Sequence, residues 1–408
     1  MKTEKIDQDS LVDLMFHLKW KSGDILHTDV FQANRVNVWR DFLPPNFLEA
    51  VVGTQAGDSV EVTLRPEEIV PAFDERYLFR VKRGQFGRRS ARDANKAPKV
   101  GRFYPKGLLR DMTGVFSANM EPFRCVGLEN GHVTVDFNHP LAGRELSLST
   151  VVGTVGSKRS ERGGESIDWF KVLSTGPGMQ ARWRNIPSRF FTEEAFERKD
   201  VGDDARFYEK PRLVRHIDDT AVDVVRNTYG RFLKDGMQVL DLMSSWESHL
   251  PEALKPGRLA GLGMNEKELK RNPRLDERVV HDLNRNSTLP FDTGSFDAVL
   301  CSLSVEYLVD PMTVFAEASR VLRPGGLFIV SFSNRWFPTK AVSIWAELHE
   351  FERVGLVLEY FLRSGEFSHL QTYSMRGLPR PYGDKYFPDL LYSDPVYVVW
   401  GEKPQGMH

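Results

Sequence analysis

Two apolar segments, one helix apart, constrain this chain most. Val299-Leu-Cys-Ser-Leu-Ser-Val-Glu-Tyr-Leu-Val-Asp-Pro311 runs from an apolar strand pattern into a helix. Val321-Leu-Arg-Pro-Gly-Gly-Leu-Phe-Ile-Val-Ser-Phe332 then leads into a second apolar strand. The helix should stop at the Arg-Pro-Gly-Gly turn, because Pro324 cannot continue the hydrogen-bond ladder and glycine accepts φ > 0. Strand, helix, sharp turn, strand is the grammar of an open, mostly parallel sheet with helices on both faces.

The N-terminal half has another pattern. Ser59-Val-Glu-Val-Thr-Leu64 and His132-Val-Thr-Val-Asp-Phe137 alternate apolar and polar residues, as half-buried strands do. Gln55-Ala-Gly-Asp58 and Glu129-Asn-Gly131 read as turns between strands. With 408 residues, two domains are expected. Between them, residues 154–204 read as a linker, polar and glycine-rich at first. It continues into Arg182-Trp-Arg-Asn-Ile-Pro-Ser-Arg-Phe-Phe191, which is too aromatic to stay undocked. Residues 404–408 read as a tail.

A net charge of −1 argues against global attraction to nucleic acid or anionic membrane. Residues 80–110 hold eleven Lys/Arg and one acidic residue, Asp93, and read as a solvated insertion loop. The two cysteines, Cys125 and Cys301, make neither a disulfide framework nor a zinc spacing, so no metal site is expected. The first residues lack the apolar core of a signal peptide, and no apolar run reaches bilayer length; a cytoplasmic protein is expected.

The segments around 289–332, with Met237-Gln-Val-Leu-Asp-Leu242, resemble the class I S-adenosylmethionine (SAM) dependent methyltransferases of the type 11 branch over 205–403. The resemblance implies a Rossmann-like, mostly parallel doubly wound sheet, with SAM as cofactor. It implies cofactor-binding roles for Asp241, Met243, Ser244, Ser245, Gly263, Asn265, Asp282, Leu283, Cys301 and Ser302. Two departures stand out. Met243, Ser245 and Glu247 occupy a turn that is glycine-rich in the family. Gly263 stands where the family has an acid for the ribose hydroxyls, with Asn265 as the nearest replacement. Asp282 keeps the position that meets the adenine amino group.

Asn138-His-Pro-Leu-Ala-Gly143, at the end of residues 15–152, resembles the SlyD-type branch of the FKBP prolyl isomerases. It implies an FKBP-like α+β domain over 1–153 with an inserted flap, which Val100-Gly-Arg-Phe103 would open. Val70 falls in the slot of that family's tyrosine, and Asp29 lies one residue off its acidic position, so weak or absent isomerase activity is expected. The half would then serve packing, dimerisation or coverage of the other domain; a homodimer is a candidate assembly.

Methyl transfer from a sulfonium is an in-line displacement, and the acceptor lies beyond the carboxyl ends of the strands. Glu306 and Tyr307 are the candidate catalytic residues there. Asn334, Arg335, Trp336, Tyr208 and Tyr373 are candidates for substrate binding, and His216, Arg376 and Tyr386 lie in the same segments. No catalytic dyad is visible. A small-molecule acceptor that is already nucleophilic, such as a thiol, is therefore expected over an alcohol, which needs a general base. The competing reading is a prolyl isomerase or chaperone whose C-terminal half is a non-catalytic scaffold.

Overall fold

The computed structural model describes residues 5–62, 66–87, 97–157 and 164–405. The N-terminal half supplies β1 (Ser10–Ser22), β2 (Ile25–Asn37), β3 (Ser59–Val62), β4 (Leu78–Lys82), β5 (Phe103–Pro105), β6 (Pro122–Glu129), β7 (His132–Asp136) and β8 (Leu146–Ser157). The C-terminal half supplies β9 (Gln238–Leu242), β10 (Arg258–Gly263), β11 (Glu277–Val280), β12 (Phe296–Ser302), β13 (Leu322–Ser333), β14 (Ser368–Arg376) and β15 (Val396–Glu402).

Eleven strands form one sheet in the order β11-β10-β9-β12-β13-β15-β14-β2-β1-β8-β3. The C-terminal wing, β11 to β14, is the Rossmann-like unit. Its strands β9 to β13 are parallel, and only β15 runs against its neighbours. The centre of the wing reads Phe296-Asp-Ala-Val-Leu-Cys-Ser302 and is almost wholly buried, as expected where helices cover both faces. The helix Pro311–Val321 connects β12 to β13, capped by the Asp310 side chain on the Thr313 N–H. It ends before Pro324, not at it. β13 already begins at Leu322, and Pro324-Gly325-Gly326 form an irregularity within its pairing to β12, with Gly325 at φ +78°.

The N-terminal wing is antiparallel and alternates buried and half-buried residues along β1, as a sheet with one packed face does. The wings join where β2 pairs in parallel with β14, from Leu26 opposite Gln371 to Phe31 opposite Arg376. This seam is polar and sealed. His27 Nδ1 bonds Thr372 Oγ1 at 2.8 Å, and Ser374 Oγ donates to Asp29 at 2.7 Å. Trp20 Nε1 also donates to Asp29 at 2.7 Å and its ring stacks on His27. Burial pushes the Asp29 carboxyl up, against the donors that favour its charge, and holds His27 neutral at about 3.

A second, four-stranded sheet, β4-β7-β6-β5, carries its own core around Phe123, Tyr104 and Val135. It opens at Leu78, and Phe103 begins its edge strand β5 rather than its opening. Of the basic stretch, 88–96 lies outside the described residues; Arg102 is buried and pairs with Glu352 at 3.1 Å. The 154–204 segment docks on both halves. Trp169 and Phe170 enter the N-terminal core beside Phe16 and Phe47, while Arg182 pairs with Glu359 and Phe191 packs on Tyr360. No helix among the described residues is long and apolar enough to cross a membrane.

Candidate active site

A cavity opens at the carboxyl ends of β9, β10 and β12, where an open parallel sheet offers a crevice. Its first wall is the turn after β9. Met243 takes the left-handed conformation that glycine would adopt, with φ +57°. Ser244 N donates to Leu262 O at 2.7 Å, so the turn lies directly against β10. A Cβ on Gly263 would run into the Ser244 carbonyl oxygen. The missing acid at the end of β10 is therefore a steric consequence of the path of the turn. Below it, Asp241 is buried and accepts from Ser244 Oγ at 2.6 Å; burial raises its carboxyl to about 6, against the hydroxyls of Ser244 and Ser248.

Asn265 cannot replace the acid. Its Oδ1 caps the helix Glu266–Arg271 through Lys267 N and Glu268 N, and its Nδ2 donates to Tyr208 O and Glu209 O. The carboxylate on this wall belongs to Glu268, which accepts from Ser245 Oγ and Arg212 N, each at 2.6 Å. Sequence reasoning missed Glu268, although Asn265-x-x-Glu268 has the spacing of a capping box.

On the opposite wall, Asp282 accepts from Asn284 N and Arg285 N through Oδ1. Its Oδ2 has no donor among the described residues. Leu283, Ser302 and Tyr307 complete this side. Tyr307 accepts from Phe337 N at 2.8 Å and shares its O–H with the Glu306 carboxyl; burial first, and then that carboxyl, push the phenol well up. The roof is residues 207–216. It links the helices Asp204–Tyr208 and Asp219–Tyr229, and Pro211 keeps the two apart because proline cannot continue a helix. This roof brings Tyr208 and His216 to the cavity. His216, edge-on to Phe337, is held neutral by burial and by Arg212.

The cavity's other acids are engaged. Asp204 meets Arg198 and Lys340, and burial of Glu247 is outweighed by Arg215 and Arg226, which keep it charged. Buried beside them, His249 is pushed down to about 4 and its Nδ1 has no partner.

Six expected residues stand apart from this cavity. Cys301 is buried in the core under β12. Glu306 is 1% exposed and turned inward, its Oε2 without a partner, and burial raises it to about 7. Trp336 lies under Arg353, and Tyr373 packs by Arg231 near the seam. Asn334 and Arg335 line a different cleft. In the N-terminal half, Val70 is buried in the core, and the aromatic beside the Asn138–Gly143 loop is Phe73. The linker's Trp183 crosses that place and donates to Asp136 at 3.3 Å.

Residues 249–330 match the family described as methyltransferase domain, type 11. The chain is 30% identical over 213 residues to the biotin biosynthesis bifunctional protein BioHC of Teredinibacter turnerae, covering 48% of this chain and 35% of that protein. A short-type peptidyl-prolyl cis-trans isomerase of Methanocaldococcus jannaschii is 31% identical over 115 residues, 28% of this chain and 62% of the relative. The chain thus spans about a third and about three fifths of those two relatives. The solved geranyl diphosphate C-methyltransferase of Streptomyces coelicolor superposes with a TM-score of 0.33 at 16% identity, over 49% of this chain and 96% of that one.

Proposed function

We propose that the C-terminal half, a class I SAM-dependent methyltransferase domain, transfers a methyl group from SAM to a small nucleophile, a thiol above others. The cavity carries this reading: it joins Asp241, Asp282, Ser302 and Tyr307 at one sheet edge. The residues suit the cofactor at its two ends. Asp282 Oδ2 and Leu283 would hold the adenine, and the wall of Ser244 over Asp241 would meet the amino-acid end. Between them Glu268, with Ser245, would take the ribose hydroxyls in place of the acid that Gly263 excludes. Bound SAM supplies an electrophilic methyl carbon.

The chain's own part is to orient the acceptor and exclude water. Tyr307, braced by Phe337 N and by Glu306, would position the acceptor. Asp204, Glu247 and Glu268 are all engaged, so none is a ready base for a hydroxyl. Neutral His216 could take a thiol's proton, a small demand because thiols ionise near neutral pH. Glu306, sealed from the cavity, would support Tyr307 rather than touch substrate.

Incubation with methyl-labelled SAM and a panel of thiols, phenols, carboxylates and amines tests this. Thiol products should dominate. Label only on oxygen or nitrogen acceptors would remove the thiol and keep the transferase, and no label on any acceptor would remove both.

A further inference from the structure

A second cleft, of about 570 Å³, lies where β2, the linker and the ends of β13 and β14 converge. It shares no lining residue with the cavity above. One wall is apolar, from Phe31, Ile167 and Trp169. Leu390 and Tyr392, 43% and 54% exposed, stand at the mouth.

The other wall holds donors without acceptors. Arg335 gives its Nε to Asp394 at 2.9 Å and lies over the Tyr386 ring, but neither Nη has an acceptor among the described residues. Arg376 is fixed through both Nη groups on Thr175 O and Leu173 O, and its buried Nε is unpartnered. Beside them Asn334 Oδ1, an acceptor, is buried and unpartnered. Arg380, the third arginine here, is consumed by Asp394 and Asp384. Arg380 also meets the buried Asp218 at 3.4 Å, so the open donors of the cleft are those of Arg335 and Arg376 alone. A buried donor left unpaired is costly, and a charged acceptor removes that cost best.

We propose that this cleft is a binding site for a small monocarboxylate with an apolar body. The carboxylate lies between Arg335 and Arg376, and the apolar part lies on Trp169, Phe31 and Ile167 beneath Leu390. Nothing in this proposal depends on methyl transfer.

The test is calorimetric titration of the full chain with 4-phenylbutyrate and with its uncharged analogue 4-phenylbutanol. The acid should bind at least about tenfold more tightly than the alcohol. Arg335→Met should reduce the acid to the alcohol's level. Leu390→Asp, at an exposed position that leaves the fold intact, should weaken the acid more than the alcohol. Asp282→Ala, in the other cavity, should change neither. The proposal is overturned by no saturable binding of the acid, by equal binding of acid and alcohol, by an acid affinity that survives both cleft variants, or by loss of acid binding in Asp282→Ala.

Discussion

The two wings of the large sheet use the same edge differently. In the C-terminal wing, the segments after β9, β10 and β12 enclose a cavity lined by charged and hydroxyl groups. In the N-terminal wing, the linker's Phe170 packs edge-on against Phe16 and Phe47 and fills the core there. A parallel wing needs crossovers that all return over its faces, so loops accumulate at its carboxyl end and a crevice results. An antiparallel wing turns back locally and has no such obligation. The candidate active site therefore lies in one wing, and the other contributes the polar seam.

The seam offers the largest effect by which to break this comparison. Asp29→Ala strands the Trp20 indole N–H and the Ser374 hydroxyl, both buried. We expect a loss of about 2–4 kcal/mol in urea unfolding, with Asp29→Asn losing less because it keeps an acceptor. Both wings should unfold in one transition. Separate transitions, with only the N-terminal one moved, would show that the wings are independent.

Gly263→Asp comes next. It restores the family's acid but drives a side chain into the Ser244 carbonyl. A loss of about 2 kcal/mol or more is expected, with no gain in nucleoside affinity. Tighter cofactor binding in this variant would mean that the turn yields.

Asp241 gives an effect of about 2–3 kcal/mol at most, visible only in its pH dependence. Its carboxyl is raised from 3.8 to about 6 in the folded chain. The folded state thus binds the proton more tightly than the unfolded one. The stability from Asp241 is full below pH 4 and disappears as the pH rises through about 6. Asp241→Asn should flatten the stability curve across that window, and an unchanged curve would contradict the burial argument.

The smallest effect is kinetic. Tyr307→Phe should lower turnover about tenfold while S-adenosylhomocysteine affinity stays within about twofold. An equal fall in both would make Tyr307 a cofactor contact instead.

How legible all this was in the sequence follows from the same contrast. Strands β12 and β13 and their helix declare themselves because apolar runs, Asp310 and Pro324 act locally. So do Asp282 and Tyr307, which sit next to strand ends. The seam was invisible: β2 and β14 are more than three hundred residues apart, and nothing in His27 or Asp29 names Thr372 or Ser374 as partner. Glu306 and Tyr307 are neighbours, yet a tight turn points one inward and the other to the cavity, a distinction that spacing does not carry. Asn265 was legible as a polar group near the ribose position but not as a fully used helix cap.

Calorimetric titration of the full chain with S-adenosylhomocysteine tests the central claim most directly. The account predicts saturable binding by the wild type. Asp282→Ala should bind about tenfold or more weakly while the chain stays folded, because Oδ2 is open to a ligand; losing Oδ1 as acceptor for Asn284 N and Arg285 N lowers thermal stability only modestly. No heat at millimolar ligand, or equal affinity in Asp282→Ala, would contradict it.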